Sequence, residues 1–170
     1  LAQDVLNKLQ PPSKEHWFGT DNFGRDIFSR IVHGTGLTLT VGFLSVAVGG
    51  VIGVIIGIVS GYYGGRLDSI FMRIMDVLLA FPGLLLALAI VSVLGGSLQN
   101  VIIAVGIFSV PAFARIVRGS TLQVKKLEYI DAIRSLGASD LRIIFRHILP
   151  NIMSPIIVQA TMRIATAILT

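Results

Sequence analysis

Glu128-Tyr-Ile-Asp-Ala-Ile-Arg-Ser-Leu-Gly-Ala-Ser-Asp-Leu-Arg-Ile-Ile-Phe-Arg-His-Ile-Leu-Pro150 is a charged island between two apolar runs. Leu127, Ile130, Ala132, Ile133 and Leu136 give its first half an apolar side. Gly137 then suits a left-handed C-terminal cap. Ser139 suits the N-cap of a second helix, with Asp140 in its favourable first turn. Leu141, Ile144, Phe145 and Ile148 follow the i, i+3, i+4, i+7 spacing of one helix face, and Pro150 reads as the stop. The prediction is helix, sharp corner, helix. Such a unit suits two roles: a rigid docking corner anchored between membrane spans, or an amphipathic segment lying on lipid. Residue physics alone leaves both open.

The flanks decide what the island is set in. From Ile31 to Gly65 there is no acid, Lys or Arg, and residues 37–59 are mostly apolar. A helix needs about 20 residues to cross a hydrocarbon core about 30 Å thick, so 37–59 reads as one span. Ser45, Gly49, Gly53 and Gly57 recur every fourth residue along it. That row is a close-packing seam between helices, or a gating hinge. From Val77 to Ala114 the chain is again uncharged. As one helix this run would be far too long for one bilayer, so it folds back at Gly95-Gly-Ser-Leu-Gln-Asn100 into spans 77–94 and 100–117. Pro82 and Pro111 fall inside them as tolerated kinks. A fourth span, 148–170, carries Asn151, Pro155, Gln159 and Arg163 and is expected to face protein or water. Residues 1–36 are polar and turn-rich, with at most a short helix over 27–33.

Composition agrees. The 170 residues are 54% hydrophobic and 14% charged, with mean hydropathy +0.83, whereas soluble domains carry about 25% charged residues. The net charge of +5 does not point to nucleic acid, because basic residues are not interleaved with aromatics. The absence of cysteine removes disulfides, thiolate metal sites and thiol catalysis. No phosphate loop, His-Glu-x-x-His or Gly-x-Ser-x-Gly occurs, and His16, His33 and His147 match no ligand spacing. His33-Gly34-Thr35-Gly36 lacks the third glycine of a dinucleotide loop. No catalytic residue, metal site or cofactor is expected. The start, Leu-Ala-Gln-Asp, has no signal-peptide pattern, and both ends read as cut, as in a fragment.

With four spans, Lys8, Lys14, Arg25 and Arg30 fall on one side of the bilayer. Nine Lys/Arg, from Arg66 to Arg146, fall on the other with the island. The positive-inside rule places residues 118–147 in the cytoplasm and 1–36 outside.

At this point the residues resemble a known family. Asp131-Ala132-Ile133, three residues, Gly137, and Leu149-Pro150 at the matching distance resemble the cytoplasmic signature of permease subunits of binding-protein-dependent ABC importers. The usual pattern is Glu-Ala-Ala, three residues, Gly, nine residues, Ile, one residue, Leu-Pro. Asp131, Ile133 and His147 depart from it and keep the spacing. His16-Trp-Phe-Gly-Thr-Asp-Asn-Phe-Gly-Arg-Asp26 is similar to the external motif of the peptide/nickel branch. Gly61-Tyr-Tyr-Gly-Gly, Asp68 with Met72-Arg73 and Asp76, Ala80-Phe-Pro82, Ala114-Arg-Ile-Val-Arg-Gly119 and Arg146-His-Ile-Leu-Pro-Asn151 extend the likeness over the chain from residue 11 onward.

The resemblance implies an all-α, polytopic transmembrane helical bundle with the type I ABC importer permease fold, in a bacterial or archaeal cytoplasmic (inner) membrane. It implies a second permease subunit, two cytoplasmic ATP-binding subunits and an external solute-binding protein as partners. Asp131, Ala132, Ser135, Leu136, Gly137, Ala138 and Ser139 would then contact the ATPase. Gln159, Thr161 and Arg163 are candidates for the translocation pathway. Arg163 would meet a solute carboxylate, or else form a structural ion pair or snorkel outward. Asp76 with Arg73 reads as an interfacial charge pair. Asp21, Arg25 and Asp26 shape an external scoop or cap local turns. Peptides, glutathione-like peptides and nickel complexes all belong to the branch. A secondary transporter or passive channel is the alternative, disfavoured because the spans carry no acidic residue of the kind that couples protons or sodium.

Overall fold

The computed structural model describes residues 8–169, so the readings of residues 1–7 and Thr170 lie outside the described residues. Its regular elements are helical: α1 (Ile27–Tyr63), α2 (Gly65–Ala80), α3 (Gly83–Leu94), α4 (Leu98–Lys125), α5 (Glu128–Ser135), α6 (Asp140–Ile143), a π-helical turn (Ile144–Ile148), α7 (Leu149–Asn151) and α8 (Met153–Leu169). By length and composition α1 and α4 are each able to cross a bilayer. The bent pairs α2 with α3, and Asp140–Asn151 with α8, add two more if each pair is one span. The chain divides into two compact units, residues 1–40 and 41–170.

In the first unit the polar stretch is built around Asp21. Its carboxylate accepts the backbone N–H groups of Phe23 (2.8 Å) and Arg25 (3.0 Å), the Nε of Arg25 (2.9 Å) and Nη1 of Arg30 (2.6 Å). Asp26 caps the start of α1 by accepting the Ser29 N–H at 2.8 Å. Both are local turn-capping arrangements. Helix α1 starts at Ile27 and runs on through residues 34–36, where the sequence reading expected loop; His33, Gly34, Thr35 and Gly36 are helical and form no dinucleotide loop.

The Arg25 N–H, joined by the Phe23 N–H and the Arg25 guanidinium, lowers the Asp21 pKa from 3.8 to about 2, against some desolvation. A depressed folded-state value stabilises the turn above the unfolded pKa, and that stabilisation is lost as pH falls through about 2. The Phe23 and Arg25 amides are therefore expected to keep their hydrogen-exchange protection at pH 5 and lose it progressively below ~3.8. Asp21→Asn flattens the profile; an unaltered profile in that variant would remove Asp21 from this role.

The second unit is organised by the small-residue row. Ser45, Gly49, Gly53, Gly57 and Gly61 are all buried. A Cβ built on Gly57 would sit 2.7 Å from the Ala114 carbonyl oxygen, and one on Gly61 2.8 Å from Thr121 Cβ. Gly49 and Gly53 meet Gly106, Ser109, Val110 and Phe113 in the same way. The row is therefore a seam along which α1 and α4 approach nearly backbone to backbone, and α1 passes along it as one continuous helix.

Two ion pairs clamp α2 to α4. Arg118 donates from Nε and Nη2 to the two oxygens of Asp68, which also accepts the Ser60 hydroxyl from α1. Asp76 pairs with Arg115 rather than with Arg73, which corrects the expected local pair.

The predicted 77–94 span is broken. Phe81 is extended (φ −88°, ψ 135°) and α3 restarts after Pro82, with 93° between Gly65–Ala80 and Leu85–Leu94. A proline disfavours helical geometry in the residue before it, and that preference prevails here. Pro111, by contrast, stays inside continuous α4. The reversal after α3 lies where expected. Ser97 caps α4 through the Asn100 N–H, and the Asn100 amide donates to the carbonyls of Leu94 and Gly95.

Candidate functional site

The island folds as a corner with a packed underside and an open top. Gly137 has φ +84°. The Ala138 N–H donates to the Ile133 carbonyl (3.3 Å) and the Gly137 N–H to that of Arg134 (3.0 Å). These two bonds are the 6→1 and 5→2 pair of a Schellman cap, and Ala138 and Ile133 supply its accompanying apolar residues. The cap ends α5 and turns the chain into α6. Ser139 occupies the N-cap position of α6, but its side chain makes no capping bond. Asp140 is committed instead to a distant partner.

That partner is Tyr62, at the end of α1 and 4% exposed. Its hydroxyl donates to Asp140 Oδ1 at 2.6 Å and lies 3.5 Å from Arg134 Nη2. Lys125, at the end of α4, donates to the Tyr62 carbonyl. The Lys125 and Arg134 cations also stand over the Tyr62 ring, at 5.5 and 5.8 Å from its centroid. One side chain thus joins the ends of α1 and α4 to both arms of the corner. Sequence reasoning missed this role. The only signal was the position of Gly61-Tyr-Tyr-Gly-Gly at the end of an apolar run.

The underside is apolar. Ile130, Ile143, Ile144 and Ile148 are buried with Ile58, Tyr62, Val117 and Ile152. Burying an isoleucine side chain is worth about 1.5–3 kcal/mol relative to exposure, so this packing far outweighs any one polar contact in holding the corner. The predicted apolar stripes divide accordingly. Leu127, Ala132, Leu136, Leu141 and Phe145 are exposed, Leu136 at 87%.

Pro150 does not stop the helix. The Leu149 N–H reaches back to the Ile144 carbonyl in a wide π turn. The wider winding gives the proline ring room where an α turn would crowd the carbonyl four residues back. The Asn151 amide donates to the His147 carbonyl (2.6 Å) and to the Tyr129 hydroxyl (3.0 Å). The bend comes two residues later, at Ile152, with 59° between Asp140–Asn151 and α8.

Of the seven residues expected at the ATPase, Asp131, Ala132, Ser135, Leu136, Gly137 and Ser139 are exposed together on the corner, and Ala138 is half-buried. Gln159 and Arg163 lie one turn apart on the same face of α8, and Thr161 lies off that face. Gln159 is buried, and Thr161 is exposed with its hydroxyl bonded to the Ile157 carbonyl. Arg163 faces a cavity with Phe108 and Ser109. Among the described residues no group of three or more His, Cys, Asp or Glu is placed to hold a metal ion.

The family described as binding-protein-dependent transport system inner membrane component matches residues 53–170. The glutathione transport system permease protein GsiD of Pectobacterium atrosepticum is 55% identical over 167 residues, covering 98% of this chain and 55% of that protein. The dipeptide transport system permease protein DppC of Alkalihalophilus pseudofirmus is 53% identical over 163 residues, covering 96% and 54%. The chain therefore spans about half the length of the curated relatives it matches. Among solved structures, the inward-facing MetNI methionine ABC transporter superposes with a TM-score of 0.74 at 24% identity, over 84% of this chain and 71% of that one. That likeness establishes the fold as the type I ABC importer permease fold. The chain belongs to the binding-protein-dependent transport system inner membrane components, in the branch that holds the glutathione and dipeptide permeases.

Proposed function

We propose that this chain is the membrane-spanning core of a permease subunit in an ATP-driven importer of di- or oligopeptides, and that its corner docks a separate cytoplasmic ATPase. The reading places spans near 37–59, 77–94, 100–117 and 148–170 in a bacterial or archaeal inner membrane, the second taken as a span bent at Pro82 and the fourth as one bent at Ile152. Residues 1–36 lie outside and the corner lies in the cytoplasm, following the Lys/Arg bias. A second permease subunit completes the pathway, two ATP-binding subunits drive it, and an external binding protein delivers solute. Asp131, Ala132, Ser135, Leu136, Gly137, Ala138 and Ser139 form the contact with the ATPase.

The observation that carries the proposal is the division of the corner into a packed underside and an exposed top. Its main isoleucines are committed to α1 and α4, which leaves a lipid-lying segment without its best apolar face. Leu136 stands free on a rigid Schellman cap. Movement of a docked partner would reach α1 through Asp140 and Tyr62 and α4 through Lys125. The chain has no phosphate loop of its own, so the energy comes from the partner.

The test is Leu136→Asp in the full-length permease co-expressed with its ATPase subunits. Truncating or reversing a central contact typically costs 2 kcal/mol or more, so ATPase co-purification and uptake are expected to fall about thirty-fold while membrane insertion is unchanged. Normal uptake with the ATPase still bound would sink the docking role. Uptake that continues without any ATPase would favour the channel or secondary-transporter alternative.

A further inference from the structure

We infer that the cavity between α3, α4 and α8 is a carboxylate site that receives the C-terminal end of a peptide solute. The inference rests on the importer reading above and adds which part of the solute is recognised, and where.

The cavity holds about 240 Å³ and is lined by Gly83, Ala87, Val105, Phe108, Ser109 and Arg163 among others. Arg163 is the cation in this wall. Its guanidinium stands 5.7 Å from the centroid of the Phe108 ring. Among the described residues no acid pairs with it: Asp21, Asp26, Asp68, Asp76 and Asp131 are paired elsewhere, and Asp140 is bonded to Tyr62.

The balance favours an anion. Arg163 is half-buried, and even partial removal of a cation from water carries a desolvation cost. A cation–π contact returns about 0.5–2 kcal/mol. The cavity is therefore left short of negative charge, and Arg163 rests on Phe108 as a stand-in. A guanidinium presents parallel N–H donors that match the two oxygens of a carboxylate.

Size and charge choose which end of the solute enters. Pockets that enclose a whole small ligand run from about 300 Å³ upward, so 240 Å³ suits one end of a peptide. A lone positive charge accepts the carboxylate end of a zwitterionic peptide and repels the ammonium end. The walls at Gly83, Ala87 and Val105 are small and apolar, which leaves room for a side chain beside the carboxylate. Gly83 also sets the place of Phe108, because a Cβ at residue 83 would overlap the Phe108 ring.

The experiment is thermal melting of the purified full-length permease with millimolar alanyl-alanine or alanyl-alanine amide, without the external binding protein. A ligand that binds only the folded state stabilises it by RT ln(1 + L/Kd), where L is the free ligand concentration, and so raises its melting temperature as that concentration exceeds Kd. The free acid is expected to raise the melting temperature of the wild-type permease, and the amide is not. Arg163→Gln loses the shift, and Arg163→Lys keeps part of it. Equal shifts with acid and amide, no shift with either, or a shift that survives in Arg163→Gln would each overturn the site. Loss of subunit pairing in Arg163→Gln with the acid shift intact would assign Arg163 to the partner interface instead. The importer reading fails separately: a permease that shows the acid-specific shift but transports without ATP keeps this site and loses that reading.

Discussion

Gly57→Leu is expected to prevent assembly of the full-length permease, and Gly57→Ala to lower its melting temperature in detergent. At this position the added Cβ itself lies 2.7 Å from the Ala114 carbonyl oxygen and from Val117 Cβ. Neither neighbour is the free end of a flexible side chain, so α1 and α4 must separate to admit it. Overpacking of this kind typically costs about 1–3 kcal/mol for a small addition. Leucine adds three more carbons on the same line, and the parting of the helices would loosen the neighbouring seam at Gly53 and Gly61. The control is on the facing helix. A Cβ on Gly119 of α4 meets nothing within 4 Å, so Gly119→Ala should be neutral or stabilise by up to about 1 kcal/mol through helix propensity alone. Opposite signs for the two alanine variants are the signature of a steric seam. Equal, small effects would sink it and return the glycine row to the hinge reading.

The seam was legible because close helix approach requires a small residue every turn, and that requirement is written as a period in the sequence. The corner was legible for a related reason. A left-handed cap nearly demands glycine, and Gly137 stands between two amphipathic stretches. The contacts that join the corner to the bundle carry no period. Tyr62 and Asp140 are 78 residues apart, and nothing local marks either as a partner. Asp76 illustrates the same limit, since the nearby Arg73 suggested a pair that Arg115 makes instead. Prolines divided by context. Pro82 breaks its helix because Phe81 takes the extended geometry favoured before proline. Leu149, before Pro150, stays helical (φ −53°, ψ −47°) because a π turn makes room. Finally, an apolar stripe does not say what covers it. Ile130 and Ile148 went to the core, and Leu136 and Phe145 of the same stripes went to the surface.

If the corner docks an ATPase as proposed, Gly137→Val should uncouple ATP hydrolysis from uptake, whereas Gly137→Asn should not. The backbone there has φ +84°, and a Cβ would meet nothing within 4 Å. The demand for glycine is therefore conformational, with no steric part. A β-branched residue in the left-handed region costs about 2 kcal/mol, roughly a thirty-fold shift in population toward other corner geometries. The Schellman bonds from Ala138 and Gly137 would be lost in those geometries, and Asp140 would leave its place opposite Tyr62. The underside would hold, because Ile130, Ile143 and Ile148 are anchored independently, so the permease should still insert and bind its ATPase subunits. The expected measurement in proteoliposomes is a rise of about tenfold or more in ATP consumed per solute imported. Asparagine enters the left-handed region far more readily, and Gly137→Asn should stay near the wild-type ratio, with Gly137→Ala between the two. If the role of Gly137 were instead to let the ATPase approach closely, asparagine would be as damaging as valine. That ordering, or a valine variant with wild-type coupling, would show that the left-handed corner is not what transmits the motion.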